Sequence, residues 1–249
     1  LPVHGYHDWS DLFNTRQRLC LAKIAKRISE IHDQSIKEYL LLAFTDSLMF
    51  NNELTIYNKN ANKIEGIFRM NSFVPQKEPV ENNVWGTKFG RGTFESSFDK
   101  LLSGVEYASA PSERYIQNGE TVKKEGFPSI DAEYKLTNGD IREIDTSSTF
   151  DAVITDPPYY NNVIYSELSD FFYVWQRIIL RDNYECFSKE HTPRDKSIVA
   201  NPASGKGTVE FESELSEACS VIQDVLKEDG SLVFTYHHSD SESWGEVLE

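Results

Sequence analysis

An apolar run that stops at two adjacent prolines constrains the fold more than any other segment of this sequence. Residues 151–155, Asp-Ala-Val-Ile-Thr, have the composition of a short buried strand, and Pro157 and Pro158 follow after Asp156. Proline lacks an amide hydrogen and fixes φ, so neither a strand ladder nor a helix continues through such a pair. The sequence therefore predicts a strand whose chain leaves the sheet at Asp156.

Helical and strand patterns alternate around this run. Apolar spacing predicts helices over 166–180 and 209–227, the latter closed by Gly230, then a strand over 231–236 and a helix that starts at 241. Two short strands are expected at 134–136 and 141–144, around a turn at 138–140. This alternation favours an α/β fold with a parallel sheet and helices on its faces.

The first half of the chain has a different pattern. Helices are predicted over 10–31, capped by Asp8 or Ser10, over 35–50, ended by Asn51 and Asn52, and over 93–102. Segments 58–92 and 109–129 are polar and are predicted to be loops. We therefore expect a helical and irregular segment, 1–130, packed on or inserted in a catalytic α/β part, 131–249, as two parts or as one compact domain.

Asp156 to Tyr160 is the candidate functional segment. In open parallel sheets, ligands bind beyond the carboxyl ends of the strands, which is where this segment is predicted to lie. The alternative is a plain turn, because Asp and Pro are common turn residues. A turn alone accounts less well for a buried strand followed by Asp-Pro-Pro-Tyr-Tyr.

The same segment carries a resemblance to a known family. Asp156, Pro157, Pro158 and Tyr159 match the D/N/S-P-P-Y/F signature of amino-methyltransferases acting on adenine N6 or cytosine N4. The whole stretch 150–175 resembles the DUF1156-type adenine-specific DNA methylases of bacteria and archaea, some of which lie beside anti-phage genes. Segments 12–17 and 233–238 are also similar to that group. The resemblance implies a Rossmann-like class I methyltransferase sheet, S-adenosylmethionine as cofactor and a role in restriction-modification or phage defence.

The resemblance also implies roles for the motif residues. Asp156 would accept one N–H of an exocyclic amine, and the carbonyl of Pro157 would accept the other. Pro158 would help to stiffen the loop, and Tyr159 would stack on a base flipped out of the duplex. Holding the acceptors in place beforehand supplies much of the catalysis.

Residues after the motif are candidates for the pocket that holds the base. They are Tyr160, Asn161, Asn162 and Tyr165. The alternative for the end of this stretch is helix capping, in which Ser166 starts the next helix. The aromatic residues on that helix, Phe171, Phe172, Tyr173 and Trp175, are expected in the core rather than in a base-stacking platform.

The cofactor side of the predicted site is incomplete. By resemblance Asp140 is a candidate for binding the adenine of S-adenosylmethionine, with an ordinary turn aspartate as the alternative. The sequence has no Gly-rich turn after a first strand and no following acidic residue for the ribose. We therefore expect the chain to be part of a longer enzyme and to bind S-adenosylmethionine weakly or not at all.

Two other patterns are interpreted as unrelated to cofactor or metal binding. The pair His237 and His238 lacks further ligands at a suitable spacing, so no metal site is predicted. Residues 204–208, Ser-Gly-Lys-Gly-Thr, lack the upstream glycine and the strand of a phosphate-binding loop and are expected to be a flexible loop.

The charge of the chain bears on its partners. The formal net charge is −15, whereas affinity for nucleic acid depends largely on Lys and Arg. DNA binding would therefore use a local basic patch, basic regions outside this chain, or a partner subunit. The three cysteines lie far apart, as is typical of a reducing compartment, and no apolar run is long enough for a membrane span. We predict a cytoplasmic protein without membrane contact.

Several functions remain open at the level of sequence. The first is a site-specific DNA adenine-N6 methyltransferase, with cytosine N4 as a neighbouring target. The alternatives are methylation of an RNA base, methylation of a protein glutamine, which usually has Asn in place of Asp156, and a non-catalytic interaction module that retains the fold. The net charge favours the last of these.

Overall fold

A computed structural model describes residues 1–88, 90–147 and 149–236. Within these ranges the fold is mixed α/β, with five α-helices and three sheets of two strands each. The chain divides into two compact units, the first comprising 1–136 with 174–188 and the second 137–173 with 189–249. The sequence prediction placed the division at residue 130.

Helix α1, Thr15–Ser29, opens the first unit. Its cap is Asn14, whose side chain accepts the N–H of Gln17 at 2.9 Å, and not Asp8 or Ser10 as predicted. The predicted start at residue 10 was wrong because residues 9–12 form a separate 3-10 turn. The carboxylate of Asp11 stabilises that turn by accepting the N–H groups of His7 and Asp8.

Helix α2, Gln34–Leu48, confirms the second predicted helix. The side chain of Asp33 caps its start, and Ala43, Phe44 and Leu48 on its inner side are almost completely buried. Asn51 and Asn52 end it as expected, because their amides donate to the carbonyls of Ser47 and Leu48. These buried amides satisfy carbonyl groups that the last helical turn leaves without partners.

The rest of the first unit contains two hairpins and one helix. The elements are β1, Ile56–Asn58, β2, Lys63–Glu65, α3, Phe94–Ser109, β3, Glu113–Gln117, and β4, Glu120–Lys124. The predicted loop at 109–129 was wrong, since β3 and β4 pair there in an antiparallel hairpin. Its turn is Asn118-Gly119, with φ of 54° and 82°, which is the combination that a two-residue hairpin turn favours.

The second unit contains the predicted strand–helix–helix–strand order. The elements are β5, Phe150–Thr155, α4, Tyr165–Leu180, which continues into the first unit, α5, Thr208–Val225, and β6, Leu226–Phe234. Strands β5 and β6 are parallel, and Thr155 pairs with Phe234. The strand at 151–155, both helices and the parallel pairing are thus confirmed. Of the four aromatic residues expected in the core, Phe171 and Tyr173 are buried.

Three predictions for the second unit were wrong. No strand forms at 134–136 or 141–144; instead Ile141–Glu143 is a 3-10 helix that Asp140 caps through the N–H of Arg142. Gly230 does not close α5, because the chain passes directly into β6 at Leu226. The helix start predicted at 241 lies outside the described residues.

The β5–β6 sheet is more exposed than its sequence predicts. Ile154 and Val233 are register partners, and their side chains are 79% and 53% exposed. The apolar composition of β5 predicted a buried strand, but nothing in the described ranges covers the face that carries this pair. A two-stranded sheet supplies hydrogen bonds between its strands. It does not supply the second layer of structure against which apolar side chains are buried.

Candidate functional site

The motif residues lie at the carboxyl edge of the parallel pair. Asp156 follows β5 directly, and Thr235 follows β6 directly. The N–H of Thr235 donates to the carbonyl of Thr155 at 3.3 Å, which extends the ladder by one step. Because the strands are parallel, both carboxyl ends meet at the same edge, as expected for a ligand site.

The two carboxylate oxygens of Asp156 have different surroundings. Its Oδ1 accepts a hydrogen bond from the hydroxyl of Thr235 and another from the hydroxyl of Tyr159. Its Oδ2 accepts no hydrogen bond from the described residues. The aspartate is exposed, so Oδ2 is open to a ligand that can donate a hydrogen bond.

The two hydroxyl groups also favour the charged form of Asp156. Donation by Thr235, and secondly by Tyr159, lowers the pKa of the Asp156 carboxyl below its usual value, while partial desolvation opposes the shift. Hydrogen bonds to the charged form of a carboxyl favour that form. Asp156 is therefore an anionic acceptor at neutral pH.

A pair of tyrosine rings lies on one side of the carboxylate. The ring of Tyr159 meets that of Tyr236 edge to face, with centroids 5.2 Å apart. The hydrogen bond to Asp156 raises the pKa of Tyr159. Burial raises the pKa of Tyr165, and the charge of Asp156 raises it further.

Tyr160 contacts a different part of the unit. Its φ of 48° lies in the left-handed region, which is uncommon for a residue with a bulky side chain. Its hydroxyl lies 2.6 Å from that of Thr208, and its ring meets Phe211 on α5 edge to face at 5.3 Å. Its carbonyl accepts the N–H of Ala200 at 3.2 Å. The predicted pocket residue Tyr160 therefore packs on α5, whereas Tyr159 lies beside Asp156.

The other motif residues lie near the surface. Pro157 and Pro158 are half-buried, and Asn161 and Asn162 are exposed. The N–H of Asn162 donates to the carbonyl of Tyr159 at 2.9 Å, which closes a turn after the motif. The carbonyl of Pro157 accepts no hydrogen bond from the described residues.

Asp140 lies in a separate cluster of charges. The guanidinium of Arg142 donates to both of its carboxylate oxygens, at 2.9 and 2.6 Å, and lowers the pKa of Asp140 to about 2. Arg142 also donates to the carbonyl of Lys196 and lies 3.5 Å from the carboxylate of Glu214 on α5. The Asp140 side chain is only 7% exposed.

These contacts bear on whether the chain can hold S-adenosylmethionine. The Asp140 carboxylate already accepts three hydrogen bonds from Arg142 and is 7% exposed, so little of it is accessible to an adenine amino group. No glycine of positive φ in the described ranges follows a strand of the parallel sheet, although such a turn would hold the amino-acid part of the cofactor. The described residues therefore do not fit this cofactor as a complete site.

The two remaining patterns have structural explanations or lie outside the described part. Lys206 donates to Glu214 and to the carbonyl of Ser197, and the N–H of Gly207 donates to Glu210. The loop at 204–208 is thus tied internally and does not present its donors to a phosphate. His237 and His238 lie outside the described residues, and within the described ranges no three His, Cys, Asp or Glu side chains form a metal-binding group.

Sequence reasoning did not assign Thr235 and Tyr236 to the site. Only their position could have identified them. They follow the strand that pairs with β5, and they therefore lie at the same carboxyl edge of the sheet. Neither residue type marks a site by itself, so only the strand pairing identifies them.

Comparisons with known proteins found no matching family model, curated protein or solved structure. Across the described ranges, no helix is both long enough and apolar enough to cross a membrane.

Proposed function

We propose that this chain forms the base-binding side of an active site. The enzyme is an S-adenosylmethionine-dependent methyltransferase that acts on an exocyclic amine of DNA, with adenine N6 as the first candidate target. The observation that carries the proposal is the asymmetry of Asp156, with Oδ1 bound by two hydroxyls and Oδ2 open. The resemblance of residues 150–175 to DUF1156-type methylases supports it. In this proposal β5 and β6 are two strands of a Rossmann-like sheet in a cytoplasmic enzyme of restriction-modification or phage defence.

The chemistry assigned to this chain concerns the nucleophile. The lone pair of an exocyclic amine is conjugated with the base ring, which makes the amine a poor nucleophile. Asp156 Oδ2 accepts one N–H and the carbonyl of Pro157 accepts the other, so that the lone pair becomes more available on nitrogen. Both acceptors are held in place before the substrate arrives, which lowers the barrier. The cofactor supplies the methyl group.

Tyr159 would hold the base through its ring. A base inside a duplex is unreachable, so it must be flipped out and stacked on a side chain. The Tyr159 ring is held at its hydroxyl by Asp156 and by a perpendicular contact with the ring of Tyr236. A ring held at two points loses little freedom when a base stacks on it.

The proposal is tested by methyl transfer from labelled cofactor with the complete protein on DNA, RNA and protein substrates. Asp156→Ala removes the acceptor, and we expect the rate to fall on the order of 10²–10³-fold without loss of folding. Asp151→Ala is the matched control, because Asp151 lies at the other end of the same strand and pairs with Lys227. Unchanged transfer in Asp156→Ala would reject the catalytic role, and transfer to RNA or protein alone would reassign the substrate.

A non-catalytic interaction module is the second candidate. The net charge of −15 and the occupied carboxylate of Asp140 favour it. Calorimetric titration with S-adenosylmethionine is expected to give weak or no binding by this chain alone. Transfer by the complete protein that depends on Asp156 would exclude this candidate.

A further inference from the structure

Helix α1 concentrates positive charge in an acidic chain. The chain has 25 Lys and Arg against 40 Asp and Glu. Between Thr15 and Ser29 the helix has no acidic residue, and its basic residues are Arg16, Arg18, Lys23, Lys26 and Arg27. All five of these side chains are exposed. The surface of α1 thus carries positive charge, whereas the chain as a whole has a negative net charge.

Four of the five charges share one face of the helix. At 3.6 residues per turn, Arg16, Lys23, Lys26 and Arg27 fall within a sector of about 100°. They follow the helix axis over about 16 Å, given a rise of 1.5 Å per residue. The opposite side is buried through residues such as Ile28, so the core holds the helix that displays these charges.

These cations are available to a ligand. Lys23 and Lys26 form no ion pair or hydrogen bond with side chains of the described residues. Arg16 and Arg27 each pair with a nearby glutamate, at 2.5 and 2.9 Å, yet their side chains are 81% and 84% exposed. The single contact of Arg27 with Glu30 contributes little stability, so a phosphate can replace that glutamate, whereas Arg16 is held by two hydrogen bonds to Glu81 and adds less free positive charge.

Helix stability explains only part of this pattern. Cations near a helix C-terminus interact favourably with the helix dipole, which accounts for Lys26 and Arg27. Arg16 lies in the first turn and Lys23 in the middle, where the dipole gives no such benefit. The basic face, which also carries the exposed Leu19, is therefore not a by-product of capping.

We infer that the exposed basic face of α1 binds the phosphate backbone of a nucleic acid. The choice of nucleic acid as the polyanion rests on the proposed function, which requires a DNA substrate and otherwise leaves an acidic chain without a contact surface. An anionic membrane fits less well, because a helix that lies on a membrane buries its apolar face in lipid. The apolar face of α1 already packs in the protein core.

The test is fluorescence anisotropy of the chain with a short labelled DNA duplex at several salt concentrations and without cofactor. Lys23→Glu/Lys26→Glu is expected to weaken binding at least ~10-fold and to lower the salt-dependence slope by about 2. Lys59→Glu/Lys63→Glu is the matched control, because both lysines are exposed on the β1–β2 hairpin and the change in net charge is the same. We expect the control to retain binding within ~2-fold.

Four outcomes overturn the inference. They are no DNA binding by the unchanged chain, an equal loss in both double variants, unaffected binding in the α1 variant, and binding to phosphatidylserine vesicles in place of DNA. Lys23→Gln/Lys26→Gln provides a milder variant with the same expected direction, and circular dichroism verifies its folding. Failure of the proposed function is distinguishable, because this assay measures binding whereas the Asp156 assay measures methyl transfer.

Discussion

Thr235 favours the charged form of Asp156 and holds one of its two carboxylate oxygens. Its hydroxyl is the main cause of the lowered pKa, and it occupies the oxygen that faces away from the open side of the carboxylate. Thr235 has no direct role in the proposed methyl transfer, but it leaves Asp156 with one free acceptor oxygen.

Replacement of this hydroxyl by a methyl group tests that role. Thr235→Val keeps the shape of the side chain, and we expect methyl transfer to fall ~10-fold because the carboxylate is no longer oriented. The pKa of Asp156 is lowered in the folded protein, so activity should persist down to acidic pH; the variant should move the acidic limb of the pH–rate profile upward. Thr235→Ser should restore both properties. A rate loss with an unchanged acidic limb would contradict this role.

Asp140 is expected to act on stability rather than on catalysis. Its pKa falls from 3.8 to about 2 on folding because Arg142 donates to its carboxylate. A carboxyl whose pKa is lowered by folding stabilises the protein above its unfolded pKa, and this contribution is lost as the pH falls through the folded pKa. Asp140→Asn should therefore lower the free energy of unfolding by about 2 kcal/mol near neutral pH.

Urea unfolding at several pH values measures this effect. The difference between the unchanged protein and Asp140→Asn should shrink as the pH falls from about 4 to below 2, since Asp140 then becomes protonated in the folded protein as well. Asp224→Asn removes the same charge from an exposed position on α5 and should change stability by less than ~0.5 kcal/mol. A difference that is independent of pH would show that the ion pair is not its source.

At the scale of elements, sequence patterns predicted the helices better than the strands. Helices α2, α4 and α5 were found within one or two residues of their predicted ends because each has a regular apolar side. The β3–β4 hairpin was missed because almost all of its strand residues are exposed, which leaves no alternation to detect. Its Asn118-Gly119 turn was the available signal.

The candidate site was predictable only in part, for a related reason. Asp156 and Tyr159 are only three residues apart, so a short sequence motif identifies both of them. Thr235 joins them through the pairing of β5 with β6, which depends on a fold that a motif does not encode. Tyr160 was assigned to the pocket by adjacency, although its left-handed φ turns its ring toward α5.

A buried aspartate on α4 holds the loop that follows this helix. Asp170 on α4 is completely buried and accepts hydrogen bonds from Thr192 and Arg194 of the loop that follows. The same loop supplies the N–H of Ala200 to the carbonyl of Tyr160. Because burial of an unpaired carboxylate is costly, this contact holds the loop next to the motif.

For the whole molecule, the exposed face of the β5–β6 sheet predicts poor solution behaviour. Exposed apolar strands with unpaired edges favour association between chains. Ile154→Thr/Val233→Thr makes this face polar while keeping β-branched side chains. We expect less aggregation on heating, measured by light scattering, with a change in unfolding free energy of less than ~1 kcal/mol, because little apolar contact is lost.

The reference for that experiment is a core position. Leu48→Thr, at a completely buried site on α2, should lower the unfolding free energy by more than ~2 kcal/mol. A similar loss in the sheet variant would mean that Ile154 and Val233 are covered in solution, contrary to their exposure.

In the proposed methyltransferase, the unequal carboxylate of Asp156 would also select between bases. With Oδ1 held by two hydroxyl donors, Oδ2 presents only lone pairs to whatever enters. An amino group donates to such an atom, whereas a keto oxygen at the same place is repelled, so the site would favour the 6-amino group of adenine over O6 of guanine and the 4-amino group of cytosine over O4 of thymine. The choice between an amino group and a keto oxygen would thus depend on Oδ2, which stays free because the hydroxyls of Thr235 and Tyr159 both bind Oδ1.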